Sequence, residues 1–377
     1  MKKILLVMKD LRVGSGVVSV IMNYYPMVAK QKYKIDFLLL DKIESKYISF
    51  VKGNIYYIPK SPLKYTYNTI NFLKNFFYKN KYDIIHVNIP GPYGALVLKI
   101  AKSKGINNRI YHCHCPKETS NIKSFISSHI FTYLCVKRSN YYIACSKQAG
   151  VDVFKNKEFI ILKNKFDVKK YAFNLQLRRK IKAENGIDSK KIIIGTIGRI
   201  EPEKNPFFIV DVISELVKYN LNFNFIWIGN GSLKNKVQRY SEQKKVKNYI
   251  SFVGIKENIN EWYSVIDCLL LPSKYEGLGL VLVEAQCSGL LCIASSSIPK
   301  DTMISDRIFF YNLNDGPKMW AKYIYENINS FLKSDRNNAY YNGIKHEFDI
   351  NSNGYELANI YQEILEKGGK IQWIIKI

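Results

Sequence analysis

The sequence lacks any long uncharged apolar run, and its N-terminal apolar stretch spans only Ile4 to Met8 before Lys9 and Asp10 interrupt it. A spanning helix needs about 18 to 20 apolar residues, so we expect neither a membrane span nor a signal peptide. Cysteines are odd in number, seven in all, and are scattered through apolar stretches. This usage is typical of reduced thiols in a cytosolic protein and argues against a disulfide framework.

Acidic residues are scarce in the N-terminal half. Residues 1–182 hold 34 Lys and Arg against 9 Asp and Glu, whereas the remaining residues hold 23 basic and 22 acidic ones. The first half therefore carries almost all of the net charge of +26. Such asymmetry favours an anionic partner for that half: a membrane, a nucleic acid or a phosphorylated substrate. A solvated lysine-rich surface, produced by compositional bias, is the competing interpretation.

Apolar strands and helices alternate twice along the chain. The first series runs from "KKILLVM" to "EFIILKN", and the second runs from "KIIIGTIGRI" to "LCIAS" after a polar, basic connection at about 168–190. Alternation of this kind predicts parallel sheets covered by helices on both faces, here as two doubly wound domains facing a cleft. In open α/β sheets, ligands bind beyond the carboxyl ends of the strands.

Charged side chains follow several predicted strands of the second half. Arg199 and Lys204 come after "IIIGTIG", and Glu276 follows "CLLLPS" in a loop that opens a helix. Glu284 lies eight positions beyond Glu276, near the same helix face. Arg and Lys that converge on one cleft suit a diphosphate, and carboxylates suit hydroxyl-rich ligands because they accept hydrogen bonds. A ligand with both features is a nucleotide-sugar.

The sequence also resembles a known family. The segments "GRIEPEKN", "WIGNGSLKNKV" and "FVGIKENINEWYSVIDCLLLPSKYEGLGLVLVEAQCSGLLCIAS" resemble the retaining glycosyltransferase family 4. "SKYEGLGLVLVEAQCSGLLCIASSSIPK" resembles bacterial capsular and exopolysaccharide glycosyltransferases in particular. "DIIHVN", "RIYHCH", "IACSKQA" and "KNKFDVKKY" are weaker matches in the expected order, so the resemblance covers nearly the whole chain.

The resemblance implies the GT-B fold, in which two doubly wound Rossmann-like domains face an interdomain cleft. The acceptor-binding domain is expected over residues 1–170, with a C-terminal helix at about 355–377 packing back on it. The nucleotide-sugar donor-binding domain is expected over residues 171–354. The family's "NG(I/V)D" motif corresponds to Asn164-Lys165-Phe166-Asp167, without the glycine, and the glycines of "VGSGVVSV" are separated by a serine.

The resemblance also implies roles for individual residues. Arg199 and Lys204 would bind the donor diphosphate and stabilise the leaving group, Glu276 would contact the transferred sugar, and Glu284 would accept hydrogen bonds from the ribose. His114 corresponds to a family histidine near the transferred sugar. The remaining donor-binding positions are expected to be Gly14, Ser15 and Gly16 facing the diphosphate, Gly277, Leu278 and Gly279 beside the sugar and phosphates, and Asn230, Gly231 and Ile255 flanking the nucleoside.

The implied reaction is transfer of a hexose, with retention of configuration, from a nucleotide-diphosphate-sugar, expected to be a UDP-sugar. The implied acceptor is a lipid-linked oligosaccharide or similar molecule in capsular or exopolysaccharide biosynthesis. In this family the leaving phosphate oxygen is thought to take the acceptor's proton on the same face. No metal or other cofactor is expected, because Arg199 and Lys204 neutralise the leaving diphosphate.

Other interpretations compete with this one. The same fold could serve a nucleotide-sugar epimerase or hydrolase, and a basic nucleic-acid-binding protein is a rival from another class, although no nucleic-acid motif is visible. Arg199, Lys204, Glu276 and Glu284 could also be solvated or helix-capping residues. The run "HCHC" at 112–115 could suggest a metal, but strand alternation sends its histidines to one face and its cysteines to the other. His86 is either structural or an acceptor contact.

An aromatic and basic segment, "SPLKYTYNTINFLKNFFYKNKYD", carries Lys64, Lys74, Lys79 and Lys81 between tyrosines and phenylalanines. Most of the aromatic residues of this segment are expected to pack in the core, but the segment also suits an interfacial surface. The helix around 122–136, which ends at Lys137-Arg138, is a second candidate for such a surface. Together with the basic N-terminal half, these features predict a cytoplasmic protein that associates peripherally with the anionic inner face of the cell membrane, with no nucleic acid as partner.

Overall fold

The chain folds as two compact units. The computed structural model describes residues 1–31, 33–59, 67–114, 122–367 and 374–375. Unit 1 comprises Met1–Phe166 with Asn353–Ile377, and unit 2 comprises Asp167–Ser352. Within the described residues, every helix is too short or too polar to cross a lipid bilayer.

The N-terminal segment of unit 1 alternates strands and helices around a sheet with the order β7-β6-β5-β4-β1-β2-β3, all parallel. Its strands are β1 (Lys3–Met8), β2 (Lys34–Leu39), β3 (Ile55–Tyr57), β4 (Ile84–Val87), β5 (Asn108–Cys113), β6 (Tyr141–Ala144) and β7 (Phe159–Ile161). Its helices are α1 (Gly16–Ala29), α2 (Tyr47–Phe50), α3 (Tyr67–Lys79), α4 (Gly91–Ser103), α5 (Ile122–Arg138) and α6 (Lys147–Phe154).

Unit 2 is built on a six-stranded parallel sheet with the order β10-β9-β8-β11-β12-β13. Its strands are β8 (Ile192–Ile197), β9 (Phe223–Ile228), β10 (Ile250–Gly254), β11 (Cys268–Leu271), β12 (Leu291–Ser295) and β13 (Ile308–Tyr311). Its helices are α7 (Leu175–Glu184), α8 (Pro206–Val217), α9 (Lys234–Gln243), α10 (Ile259–Val265), α11 (Leu280–Cys287), α12 (Gly316–Leu332), α13 (Tyr340–Lys345) and α14 (Ile350–Asn353).

The C-terminal segment returns to unit 1 as helix α15 (Glu356–Lys367), which packs against α1, and strand β14 (Ile374–Ile375). Strand β14 pairs antiparallel with β7. Of the helix predicted at about 355–377, the structure describes Glu356–Lys367 as helix, and the prediction was wrong for Ile374 and Ile375, which form a strand.

The central strands of both sheets are apolar on both faces because helices cover them. In β1, every residue from Ile4 to Met8 is buried, and β11 is buried along its whole length. This pattern is typical of parallel sheets, which are packed on both sides. In unit 1 the direction in which successive strands are added to the sheet reverses beside β1. In unit 2 it reverses beside β8. Such switch points leave a crevice at the carboxyl ends of the strands, where ligands bind.

A fully buried lysine fixes the C-terminal segment within unit 1. The Nζ atom of Lys165 lies 2.8 Å from Glu356 Oε1 and 3.1 Å from the carbonyl oxygen of Asn353. The hydroxyl group of Tyr24 also donates to the carbonyl oxygen of Lys163, at 2.7 Å. The loop in which the family motif has a glycine therefore carries a lysine that is bonded to the start of α15.

Candidate active site

Two loops of unit 2 meet at the carboxyl ends of the neighbouring strands β8 and β11. Lys204, at the end of the 3-10 helix Pro202–Lys204, forms an ion pair with Glu276, and their side chains are only 18% and 13% exposed. Ser273 Oγ donates to the same Oε1 atom of Glu276, at 2.7 Å. The backbone N–H of Lys274 donates to the carbonyl oxygen of Glu203, at 2.8 Å. The structure thus brings together Lys204 and Glu276, which the sequence predicted separately.

Arg199 follows β8 after Gly198, but its side chain is 67% exposed. Its Nη2 atom lies 2.5 Å from Glu203 Oε1. The guanidinium group is therefore held at the surface by the acidic residue next to Lys204 in the chain. An exposed pair of this kind contributes at most about 1 kcal/mol, so the guanidinium can exchange this partner for another anion at low cost.

Glu284 has surroundings different from those of Glu276. It lies within α11, whereas Glu276 lies in the loop ahead of that helix. The hydroxyl of Tyr263 donates to Glu284 Oε2, and Tyr171 provides a second hydroxyl hydrogen bond. Burial raises the pKa of Glu284 to about 7, against the lowering effect of the two tyrosines. A half-buried carboxyl group that titrates near neutral pH is typical of a functional site.

Gly277, Leu278 and Gly279 are buried and lead from Glu276 into α11. Gly279 has φ of +86°, in the left-handed region that favours glycine. A Cβ atom there would also lie 3.0 Å from Ile298 Cγ2. The turn that leads into α11 therefore requires glycine.

The loop after β9 packs against the loop after β8. Ser232 donates to Glu201 from its backbone nitrogen, at 2.8 Å, and from its hydroxyl, at 2.6 Å. Burial alone would raise the pKa of the Glu201 carboxyl group, but these hydrogen bonds lower it, and the pKa lies below its usual value. A Cβ atom at Gly231 would lie 2.3 Å from the carbonyl oxygen of Ile200, so only glycine permits this approach. Asn230 is exposed, and its Oδ1 atom accepts from the backbone N–H of Gly231.

Ile255 directly follows β10, the edge strand beside β9, and its side chain is exposed. The loops after β10, β9, β8 and β11 therefore carry the predicted residues of unit 2 along one edge of one sheet. The structure joins the β9, β8 and β11 loops to one another by hydrogen bonds or ion pairs.

Unit 1 carries the other predicted positions, after β1 and β5. Gly14 has φ of +83°, Ser15 is the N-cap residue of α1, and the helix begins at Gly16. His114 directly follows β5, and its Nε2 atom lies 2.9 Å from Asn88 Oδ1. Burial lowers the pKa of His114 to about 3, so its imidazole is neutral at physiological pH.

Several partners of these residues were not predicted from the sequence. Ser273 follows "CLLL" after Pro272 and could have been found as another residue after a strand. Tyr263 lies within the helical pattern "INEWYSVI", where it indicates packing, and Asn88 carries no motif that would pair it with His114. Glu203, the partner of Arg199, stands inside the quoted motif "GRIEPEKN" without a role of its own.

The histidines at 112 and 114 lie close together, with ring centroids 3.8 Å apart and ring planes tilted by 32°. Cys113 is buried, and Cys115 lies outside the described residues. In the part of the chain that the structure describes, no group of three or more His, Cys, Asp or Glu side chains is placed to hold a metal ion.

The two doubly wound sheets are those of the GT-B fold, and the chain is a glycosyltransferase. Residues 178–346 match the family described as Glycosyl transferases group 1. The predicted fold and enzyme class are confirmed, as is the resemblance to bacterial capsular and exopolysaccharide glycosyltransferases.

The chain is similar to several known proteins. It is 29% identical over 311 residues to the putative glycosyltransferase EpsF of Bacillus subtilis, covering 79% of this chain and 80% of the relative. It is 26% identical over 256 residues to an Escherichia coli protein named UDP-Gal:alpha-D-GlcNAc-diphosphoundecaprenol alpha-1,3-galactosyltransferase, covering 63% of this chain and 64% of the relative. The solved structure of Anabaena Alr3699/HepE with UDP and glucose has a TM-score of 0.76 at 15% identity, covering 96% of this chain and 100% of that one.

Proposed function

We propose that the chain transfers a hexose, with retention of configuration, from a UDP-sugar to a lipid-linked saccharide in capsular or exopolysaccharide biosynthesis. The name of the Escherichia coli relative states a UDP-sugar donor and a diphosphoundecaprenol-linked acceptor, and the Anabaena protein was solved with UDP. The single observation that carries the proposal is the pairing of Lys204 with Glu276 between two loops at a sheet edge. It puts a cation for a diphosphate beside a carboxylate for a sugar.

The two cations have separate tasks in this mechanism. Lys204, which is mostly buried, provides a fixed positive charge for the diphosphate oxygens, and fixed charges stabilise the transition state most effectively. Arg199 leaves Glu203 and adds its guanidinium to the diphosphate when the donor binds. Cleavage of the anomeric bond then leaves negative charge on the diphosphate beside two positive charges. A leaving phosphate oxygen accepts the acceptor's proton on the face from which the sugar departs, which retains the configuration without a metal.

The carboxylates recognise hydroxyl groups. Lys204 and Ser273 both bond to Glu276 Oε1, so we assign Oε2 to a hydroxyl group of the transferred sugar. Glu284, held by Tyr263, accepts hydrogen bonds from the ribose when it is ionised. Gly277 to Gly279 allow the donor's phosphates to approach the backbone, and Asn230, Gly231 and Ile255 flank the nucleoside. In unit 1, the Gly14–Gly16 loop faces the diphosphate and His114 faces the sugar.

The proposed acceptor is lipid-linked, and we propose that a basic surface of unit 1 holds the enzyme at the anionic inner face of the membrane. This three-helix face consists of the outward sides of α3, α4 and α5, which contain no Asp or Glu. The helices lie side by side, and Lys104 Nζ, just beyond α4, is 5.8 Å from the ring centroid of Tyr78 in α3. Its exposed basic residues within the helices are Lys74, Lys79, Lys99, Lys102 and Lys137.

The three-helix face also exposes apolar side chains. Ile126, Ile130 and Tyr133 are spaced along one side of α5 and are 53%, 51% and 60% exposed. Exposed apolar residues beside lysines favour a lipid surface over a nucleic acid, which offers no apolar phase. In α12 of unit 2, by contrast, Lys322 is paired with Glu326. A lysine surface that is merely solvated therefore includes acidic partners elsewhere in this chain, which the helices of the three-helix face lack. Lys64, also predicted for this surface, lies outside the described residues.

The proposed function is tested by measuring UDP release from a set of UDP-sugars with and without a diphosphoundecaprenol-linked saccharide. The proposal expects release only when the acceptor is present, together with a lipid-linked product whose new linkage has the donor's anomeric configuration. UDP release without an acceptor would indicate a hydrolase, and conversion of one UDP-sugar into its epimer would indicate an epimerase. Inversion of the anomeric configuration would contradict the retaining mechanism.

A further inference from the structure

The two cations of the loop after β8 are both paired with carboxylates, but the two pairs differ. Lys204 is bonded to Glu276, which belongs to the loop after β11. Arg199 is bonded to Glu203, which lies four residues further along its own loop, and the Nη2 atom of Arg199 is 2.5 Å from Glu203 Oε1. The residue to which we assign the donor diphosphate therefore starts from a contact with an anion that is part of the protein.

The two members of the pair between Arg199 and Glu203 differ in exposure. The guanidinium side chain is mostly exposed, whereas the side chain of Glu203 is only 12% exposed. Glu203 is also fixed through its backbone, because its carbonyl oxygen accepts from the N–H of Lys274 in the loop after β11, at 2.8 Å. Its neighbours in the chain complete the 3-10 helix Pro202–Lys204. Arg199 can therefore turn to another anion, but the carboxylate cannot follow it.

Among the described residues, Arg199 alone bonds to the carboxylate of Glu203. When Arg199 turns to a diphosphate, this mostly buried carboxylate loses its bonded partner, and an unpaired buried carboxylate is unfavourable. Glu276 is different, because the hydroxyl of Ser273 also donates to it, at 2.7 Å. Glu203 therefore attracts the guanidinium back for as long as the diphosphate is bound.

We infer that Glu203 is a positioning residue that competes with the donor's diphosphate for Arg199. In the free enzyme it holds the guanidinium, and after transfer it regains the guanidinium from UDP and so speeds the release of this product. A carboxylate and a phosphate both offer paired oxygens to a guanidinium, so the two anions can exchange. The intact donor wins the competition because its sugar also contacts Glu276, a contact that UDP has lost. The inference rests on the proposed function, because it names a nucleoside diphosphate as the competing anion.

The first test measures the affinity of the full chain for UDP by calorimetry. Glu203→Gln keeps the size of the side chain but removes its charge, and it should bind UDP about 5-fold more tightly, which is the fold-change expected for an ion pair of this exposure. The matched control is Glu215→Gln, because Glu215 is 22% exposed and is paired with Lys218, which is 65% exposed. The control should leave the affinity unchanged. Weaker or unchanged binding of UDP by Glu203→Gln would overturn the inference, since Glu203 would then orient Arg199 or have no effect on it.

The second test repeats the substitution of Glu203 in the Arg199→Ala background. Without the guanidinium there is nothing for the two anions to share, so the gain in UDP affinity should fall below about 2-fold. An equal gain in both backgrounds would mean that Glu203 acts on the diphosphate only by the repulsion of its charge, and the inference would be wrong. Each variant changes an exposed pair that contributes little to folding, and denaturant unfolding confirms that the variants are folded.

Kinetics separate the release of UDP from the transfer itself. In a single turnover with excess enzyme, Glu203→Gln should transfer the sugar at the wild-type rate, because Arg199 is on the diphosphate in both proteins. In steady state, added UDP should inhibit Glu203→Gln at a concentration about 5-fold lower than for the wild type. A slower single turnover would show that Glu203 acts on the transfer step, which would contradict the inference.

Failure of the proposed function can be told apart from failure of this inference. If no UDP-sugar is transferred, the proposed function fails, but the calorimetric comparison needs UDP alone and still decides whether Glu203 competes for Arg199. If the wild type does not bind UDP, the comparison is repeated with inorganic pyrophosphate. Absence of binding to both anions would overturn the inference, and a gain in Glu203→Gln that depends on Arg199 would support it.

Discussion

The ammonium group of Lys204 is bonded to the carboxylate of Glu276, and this ion pair joins the loop after β8 to the loop after β11. Replacement of Lys204 by alanine should therefore have two effects. It should lower kcat about 10²-fold, as the loss of a transition-state contact does. It should also destabilise the protein by about 1 to 3 kcal/mol, because the mostly buried carboxylate of Glu276 would lose its ammonium partner and keep its bond from Ser273. Steady-state kinetics and denaturant unfolding measure the two effects.

Arg199→Ala should separate these effects. The same loss of about 10²-fold in kcat is expected, but its exposed pair with Glu203 contributes little to folding, so the free energy of unfolding should change by less than about 1 kcal/mol. Lys218→Ala is the matched control, since Lys218 is equally exposed and paired with Glu215. It should change neither quantity. Near-normal turnover in Arg199→Ala or Lys204→Ala would remove the diphosphate assignment.

Metal removal should leave the transfer reaction intact. The proposal assigns the neutralisation of the diphosphate to Arg199 and Lys204, so activity should persist after dialysis against excess EDTA. The initial rate is compared before and after dialysis, and again after Mg²⁺ or Mn²⁺ is added. Loss of activity that either ion restores would contradict the mechanism.

Donor binding should depend on the protonation of Glu284. Its carboxyl group has a pKa raised to about 7, so it is mostly protonated at pH 6 and mostly ionised at pH 8. Only the ionised form accepts hydrogen bonds on both oxygens, and affinity should therefore rise with pH, by up to about 10-fold over these two units. Calorimetry with an intact UDP-sugar measures this, because its diphosphate does not titrate in the same range as free UDP does.

Glu284→Gln provides the control for the pH dependence. The amide keeps the size of the side chain but cannot ionise, so binding should be weaker and independent of pH between 6 and 8. A wild-type affinity that does not change over this range, or an unchanged slope in Glu284→Gln, would exclude Glu284 as the ribose acceptor.

The three-helix face should bind anionic vesicles. The full chain should sediment with vesicles that contain phosphatidylglycerol at low salt, should not sediment with pure phosphatidylcholine, and should be released by moderate salt. The triple variant Lys74→Glu, Lys79→Glu and Lys102→Glu should bind at least about 100-fold more weakly, since each basic residue near such a surface contributes about 1 kcal/mol. Ile126→Ser with Ile130→Ser should weaken binding without changing its salt dependence.

The matched control for the vesicle experiment lies in unit 2. Lys318→Glu, Lys322→Glu and Lys333→Glu change the net charge equally, on or directly after α12. If this variant loses vesicle binding as much as the α3 and α4 variant does, overall charge explains the binding and the three-helix face does not. Preference for duplex DNA over anionic vesicles would favour the nucleic-acid alternative.

Most of the fold could be predicted because it depends on local pattern. Helix α5 has the bounds that its apolar pattern predicts, and the strands from β1 to β12 lie where short apolar runs occur. Helix α7 lies in the segment predicted to be a polar, basic connection, because most of its residues are polar or charged and only Ile181 and Lys182 are buried. Helix α6, in "KQAGVDVF", is only two turns long, and so short a segment offers no helical pattern from which to predict it.

The candidate site could be predicted only in part. Positions after strands identify Arg199, Lys204 and Glu276, since topology alone brings such residues to one edge. Partner choice is different, because it depends on which side chains meet in three dimensions. The members of each pair, Tyr263 with Glu284 and Asn88 with His114, lie far apart in the sequence. No motif or spacing rule relates them.

The discontinuity of unit 1 has a consequence for protein synthesis. Unit 2 is a continuous stretch of chain, whereas unit 1 requires Asn353–Ile377 in addition to Met1–Phe166. At about 5 to 20 residues per second, roughly 10 to 40 seconds separate the synthesis of Lys165 from that of Glu356. During this interval the lysine that becomes fully buried has not met its carboxylate. The N-terminal segment is made first but is completed last, and unit 2 can fold on the ribosome before it.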